Sequence, residues 1–149
     1  MKEDKVKWCL KQTKGIKLID LKPHLSESYM DRAEDTLETA LLIKGEWKLI
    51  TSYYACYNAF YSLLMKTGIK CEIHDCTLEL MKLFDFDDSD IIFLKNLKKD
   101  RIDTQYYLKK ITFNKEADVK KFIFKCKLTL GNLNSHKIEE IRNKIKVIK

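Results

Sequence analysis

The sequence predicts an all-α fold, an up-and-down bundle of about five helices, on three observations. Only four Gly and one Pro punctuate 149 residues, too few for a turn-rich β fold. Apolar side chains recur at spacings of three and four through most of the chain. No run alternates apolar and polar residues for long enough to read as a strand. At 17.7 kDa the chain is expected to form a single domain, residues 1–149, with a basic lead over 1–24.

The first helix is read through ESYMDRAEDTLETALLIKG, with Ser26 or Ser28 as its cap and Tyr29, Ala33, Leu37, Ala40 and Leu41 at helical spacing. Gly45 is expected to close it. WKLITSYYACYNAFYSLLMKTG follows at once, with Ile50, Tyr53, Tyr57, Phe60 and Leu64 in one stripe that Tyr54 and Tyr61 widen. Gly68 should end it, and an apolar surface around most of its circumference makes it the expected central helix.

Asp75 or Thr77 can cap a third helix carrying Leu78, Met81, Leu83 and Phe84. The polar link DFDDSD leads to a fourth, IIFLKNLKKDRIDTQYY, capped by Ser89 or Asp90. KEADVKKFIFKCKLTLGNLNSHKIEEIRNKIKVIK is read as a long fifth helix, bent or interrupted at GNLNS, with Val119, Phe122, Ile123, Cys126 and Leu130 along one side.

Charge narrows the partners. The formal net charge is +7, and from Lys109 onward 11 Lys and 1 Arg face 4 acidic residues, which points towards polyanions. The same lysines, Lys120, Lys121, Lys125 and Lys127 among them, also suit the solvated side of an amphipathic helix. The opening MKEDKVKWCLKQTKG mixes charges of both signs and lacks the apolar core of a signal peptide. Leu49 to Met65 is uncharged but falls short of the roughly 20 residues of a membrane span, so no membrane contact and a cytoplasmic location are expected. Cys9, Cys56, Cys71, Cys76 and Cys126 then belong to a reducing compartment, and disulfides are not expected. Cys71, His74 and Cys76 are too tightly spaced for zinc and lack a fourth ligand, so neither a metal nor another cofactor is expected.

Taken in order, SYYACYNAFYSLLMKTGIK, IHDCTLELMKLF and DRIDTQYY, followed by the long terminal helix, resemble the HEPN family (higher eukaryotes and prokaryotes nucleotide-binding), particularly its small archaeal and bacterial single-domain members. The resemblance runs from about Ser26 to the C-terminus. It implies a helical bundle that forms a homodimer, binds RNA or a nucleotide, and in many relatives acts as a metal-independent endoribonuclease through an arginine followed a few residues later by a histidine. Some relatives are toxins partnered by a small nucleotidyltransferase antitoxin. Arginine can hold a phosphate by two charge-assisted hydrogen bonds, and histidine exchanges protons near neutral pH.

Arg101 matches the arginine of that motif, but Tyr106, Tyr107 and Leu108 occupy the places open to the histidine, and the nearest later histidine is His136. A related version of the motif has an Asp-Tyr pair at the places of Gln105 and Tyr106, so the tyrosine is kept and the aspartate is not. A phenol with a reference pKa of about 10 is a poor base at neutral pH. Arg101 and Tyr106 are therefore the candidate catalytic residues, and Asn58, Tyr54, Asp103, Tyr107 and His74 the candidate nucleotide-binding ones.

Each has a plain structural alternative: an ion pair of Arg101 with Asp100, Asp103 or a neighbouring helix, core packing for Tyr54, Tyr57 and Tyr61, a buried amide for Asn58, a helix cap for His74. Two function classes follow. One is an RNA- or nucleotide-binding protein of toxin type, with or without ribonuclease activity; the other is a non-catalytic dimeric interaction module that binds, for example, a nucleotidyltransferase.

Overall fold

The computed structural model describes residues 3–148 and is all-α. The helices are α1 (Glu3–Lys11), α2 (Pro23–Leu42), α3 (Glu46–Thr67), α4 (His74–Glu79), α5 (Asp88–Gln105), α6 (Glu116–Gly131) and α7 (Ser135–Lys146), with a 3₁₀ turn over Leu80–Phe84 after α4. The basic lead contains a helix of its own: α1 buries Val6 and Cys9 and packs against α4. The two cysteines Cys9 and Cys76 form a disulfide between these helices, overturning the expectation of free thiols throughout. Their Cα atoms stand 5.8 Å apart across 67 residues of chain, a juxtaposition that spacing in the sequence does not reveal.

The central helix is α3, which packs on α2, α5 and α6 and buries Tyr53, Tyr57, Phe60, Leu63 and Leu64. It ends as expected at Gly68, whose φ of 70° is left-handed. Arg142 of α7 donates there to the carbonyls of Ile19 (2.9 Å), Thr67 (3.0 Å) and Gly68 (2.9 Å). These bonds pin α7 onto a short antiparallel pair, β1 (Lys17–Leu18) against β2 (Ile69–Lys70), in the register Lys17 to Lys70 and Leu18 to Ile69. Two residues per strand leave no alternation to read in the sequence.

Several helix ends differ from expectation. Helix α2 starts at Pro23, which needs no N–H in the first turn, so Ser26 and Ser28 lie inside it, where Ser26 donates to the Ser62 carbonyl at 2.8 Å. Gly45 does not close α2; with φ of 77° it makes the turn that starts α3. Neither Asp75 nor Thr77 caps α4, which begins at His74, and the Thr77 hydroxyl instead bonds back to the Ile73 carbonyl. For α5 the cap is Asp87: its side chain accepts from the Asp90 N–H at 2.9 Å while the Asp90 carboxylate accepts from the Asp87 N–H at 3.1 Å. The interruption at GNLNS is a full break, with Asn134 capping α7.

Candidate anion-binding site

Three elements meet at the middle of α3. Along α3, Tyr53, Tyr54, Tyr57 and Tyr61 carry the aromatic face; α5 runs beside it with Arg101; the start of α4 brings in His74. Arg101 is 7% exposed. Its Nη1 donates to the Tyr54 hydroxyl at 3.2 Å and to Gln105 Oε1 at 3.3 Å. Its guanidinium carbon lies 4.9 Å from the ring centroid of Tyr53 and 5.4 Å from that of Tyr54.

The ion-pair reading of Arg101 does not describe this geometry. Asp100 faces Lys115 at 3.5 Å, and Asp103 takes Lys99 at 2.8 Å and Lys109 at 3.9 Å. Among the described residues no carboxylate lies within 4.0 Å of Arg101, and its Nε is buried without a hydrogen-bond partner. Buried cations are ordinarily paired, because leaving water costs several kcal/mol that aromatic faces and neutral acceptors return only in part. The guanidinium is therefore held with donor capacity left over.

His74 completes the cluster from the other side of Tyr53. Its Nδ1 is 2.8 Å from the Tyr53 hydroxyl, and its ring stacks on Tyr57 with centroids 4.1 Å apart and planes inclined by 14°. Burial, then the charges of Arg101 and Lys98, pull its pKa down from the ordinary value to about 4, against a smaller opposing pull from Asp75. Burial pushes the Tyr53 and Tyr57 phenols up, so both stay protonated. With the imidazole neutral and the phenol protonated, the imidazole tautomer sets the direction of this bond: Nδ1 accepts from Tyr53 when the ring proton is on Nε2 and donates to it when the proton is on Nδ1. The Tyr57 hydroxyl bonds Thr77 at 3.2 Å, and Tyr61 accepts from the Cys71 N–H at 3.1 Å. Cys76 is engaged in the disulfide, and Cys71 lies buried.

Of the residues singled out in the sequence, Arg101, Tyr54 and His74 come together. Asn58 is half-buried one helical turn from Tyr54. Asp103 turns to its lysines, away from Arg101. Tyr106 ends α5, its N–H donating to the Ile102 carbonyl at 2.9 Å, and both Tyr106 and Tyr107 project into solvent at 66% and 69% exposure. Tyr53, which connects the arginine to the histidine, was read from the sequence only as core. Nothing in its spacing distinguishes it from Tyr57 or Phe60.

The arrangement sets a buried cation short of partners beside the Tyr54 hydroxyl, with the His74 imidazole on the far side of Tyr53. No protein-family model matches the chain, and no curated protein matches it.

Proposed function

We propose that this chain is a HEPN-type protein that binds RNA or a nucleotide, with Arg101 as the residue that grips phosphate. The observation that carries the reading is the buried Arg101 guanidinium with no carboxylate within 4.0 Å among the described residues and an unpartnered Nε. An incoming phosphate would supply the missing negative charge through charge-assisted bonds. The resemblance in SYYACYNAFYSLL and the position of Arg101 after it support the same reading.

Binding is favoured over cleavage. A histidine with a pKa near 4 is unprotonated at neutral pH but a weak base. Tyr106 stands in solvent outside the cluster, which weakens its case as a catalytic group. A bound phosphate would offset the Arg101 charge and raise the His74 pKa, so proton transfer, where it occurs, belongs to His74 in the loaded site.

The test is binding of labelled RNA by wild type and an Arg101→Gln variant over a range of salt, with gel analysis for cleavage in the presence of a chelator. Salt-sensitive binding lost in the variant is expected; a folded wild type that neither binds nor cleaves refutes the reading. One observation favours the alternative of a dimeric interaction module: Phe124 and Leu128, four apart on α6, are 61% and 54% exposed. In that case Arg101→Gln leaves RNA behaviour unchanged, and Phe124→Ser shifts the sedimentation coefficient to that of a monomer.

A further inference from the structure

A second site adjoins Arg101. A cleft of about 620 Å³ opens where the α2–α3 turn faces the loop after α5, and Thr104, three residues beyond Arg101, lies in its wall. Lys44 and Lys48 stand on one side and Lys109 and Lys110 on the other, against a single acid, Glu46. Lys48 is paired with Glu116 at 2.7 Å and Lys109 approaches Asp103 at 3.9 Å, while Lys44 and Lys110 have no carboxylate within 4.0 Å among the described residues. The volume falls in the range of ligand sites.

Two further features point to an anion there. The 22-residue helix α3 starts at this cleft from Gly45, which has no side chain to cap the free N–H groups of the first turn. Independently, Thr104 is 2% exposed and its Oγ1 has no hydrogen-bond partner. A buried hydroxyl left unsatisfied at the wall of a basic cleft calls for a polar ligand. Phe113, partly buried, adds an aromatic face to the lining.

From this we infer that the cleft holds the neighbouring nucleotide of a single-stranded RNA whose phosphate is gripped by Arg101, with Lys44 and Lys110 on the backbone, Thr104 on a phosphate oxygen and Phe113 against the base. The inference rests on the phosphate-binding role of Arg101 proposed above. Its added content is a ligand longer than one nucleotide. Tyr54, which bonds Arg101, and Lys48, in the cleft, are six residues apart on α3, about 9 Å along the axis at about 1.5 Å per residue, so one bound phosphate does not serve both places. A basic groove with an aromatic platform is the usual means of holding a single strand without reading its sequence.

Fluorescence anisotropy with a labelled single-stranded RNA, with unlabelled ATP and inorganic phosphate as competitors, tests this in wild type, the double variant Lys44→Gln with Lys110→Gln, Thr104→Val, and Arg101→Gln. Thermal melts accompany each. The double variant changes only exposed side chains and should fold as wild type while binding RNA about tenfold more weakly near 0.1 M salt, its salt slope shallower by about 1.4. Thr104→Val keeps the shape of the side chain and should weaken binding severalfold. Should Arg101→Gln abolish binding while the lysine pair leaves affinity and slope unchanged, the cleft assignment fails and the Arg101 reading stands. Competition by ATP as effective as by unlabelled RNA overturns the longer ligand. A wild type that does not bind RNA overturns both.

Discussion

The Tyr53 hydroxyl meets His74 Nδ1 at 2.8 Å, 21 residues away in the chain. The ring of the same tyrosine lies under Arg101, so one side chain of α3 joins the start of α4 to α5. His74 thus stands near Arg101 in space, with the Tyr53 phenol between them. Burial and the nearby charges of Arg101 and Lys98 hold the pKa of this histidine down to about 4.

That depressed pKa makes stability depend on pH with a definite sign. In the unfolded chain His74 takes up its proton near its ordinary value of about 6.5, in the fold only near about 4. The unfolded state therefore binds more protons in this window, and stability falls as pH is lowered from about 6.5, the loss being complete below about 4. Its size is on the order of 2–3 kcal/mol, allowing for partial solvent screening. Urea melts across pH 4–7 should show this slope in wild type and a flatter one in His74→Phe. Proton NMR of the imidazole should give a midpoint near pH 4, rising when phosphate or RNA is added; a midpoint near 6.5 in the free protein contradicts the packing described.

Arg101 should be more valuable to function than to stability. Replacing an incompletely compensated buried cation by an apolar chain of similar length is often neutral or stabilising. Arg101→Met is expected to leave the melting temperature unchanged or raise it by a few degrees, while RNA affinity drops at least tenfold. A loss of more than about 3 kcal/mol in stability would assign the guanidinium a structural role.

The Cys9 to Cys76 bond closes a long loop, and cross-linking it restricts the unfolded chain. The entropy model gives about 4 kcal/mol for a loop of this size. Reduction, or Cys9→Ser, should lower the urea midpoint by a corresponding amount, and free-thiol titration of the denatured, unreduced protein should find three thiols, those of Cys56, Cys71 and Cys126.

Gly68 should tolerate no side chain. Its φ is 70°, and an added Cβ would stand 2.5 Å from the Ile19 carbonyl oxygen and press on Arg142. Gly68→Ala is expected to cost about 2 kcal/mol or more, read as a lower midpoint in urea, with the loss partly masked if Arg142 swings away. Gly45→Ala, with φ of 77° but open space around the position, should cost about 1 kcal/mol.

Periodicity made the bundle legible. Helix α3 announced itself because Tyr53, Tyr57, Phe60 and Leu64 recur at helical spacing, and Gly68 ended it where a left-handed residue was needed. Helix starts were harder to place. Asp87, Ser89 and Asp90 can each accept from a backbone N–H, and only the fold decides that Asp87 does so with Asp90 answering it. Helix α1 has only nine residues, mostly charged, and becomes intelligible once α4 is there to cover Val6 and Cys9.

By itself, then, the sequence determined that the chain is helical, that α3 is the most apolar of its helices, and that Arg101 follows an aromatic helix, because these properties reside in local spacing and composition. Tertiary structure alone decided that Cys9 lies against Cys76, that Asp100 and Asp103 turn to lysines and leave Arg101 unpaired, and that Tyr53 stands between Arg101 and His74. Each of these depends on the angle and axial offset at which two helices pack. A difference of one residue in that offset moves a side chain by about 100° around the helix, enough to exchange one partner for another.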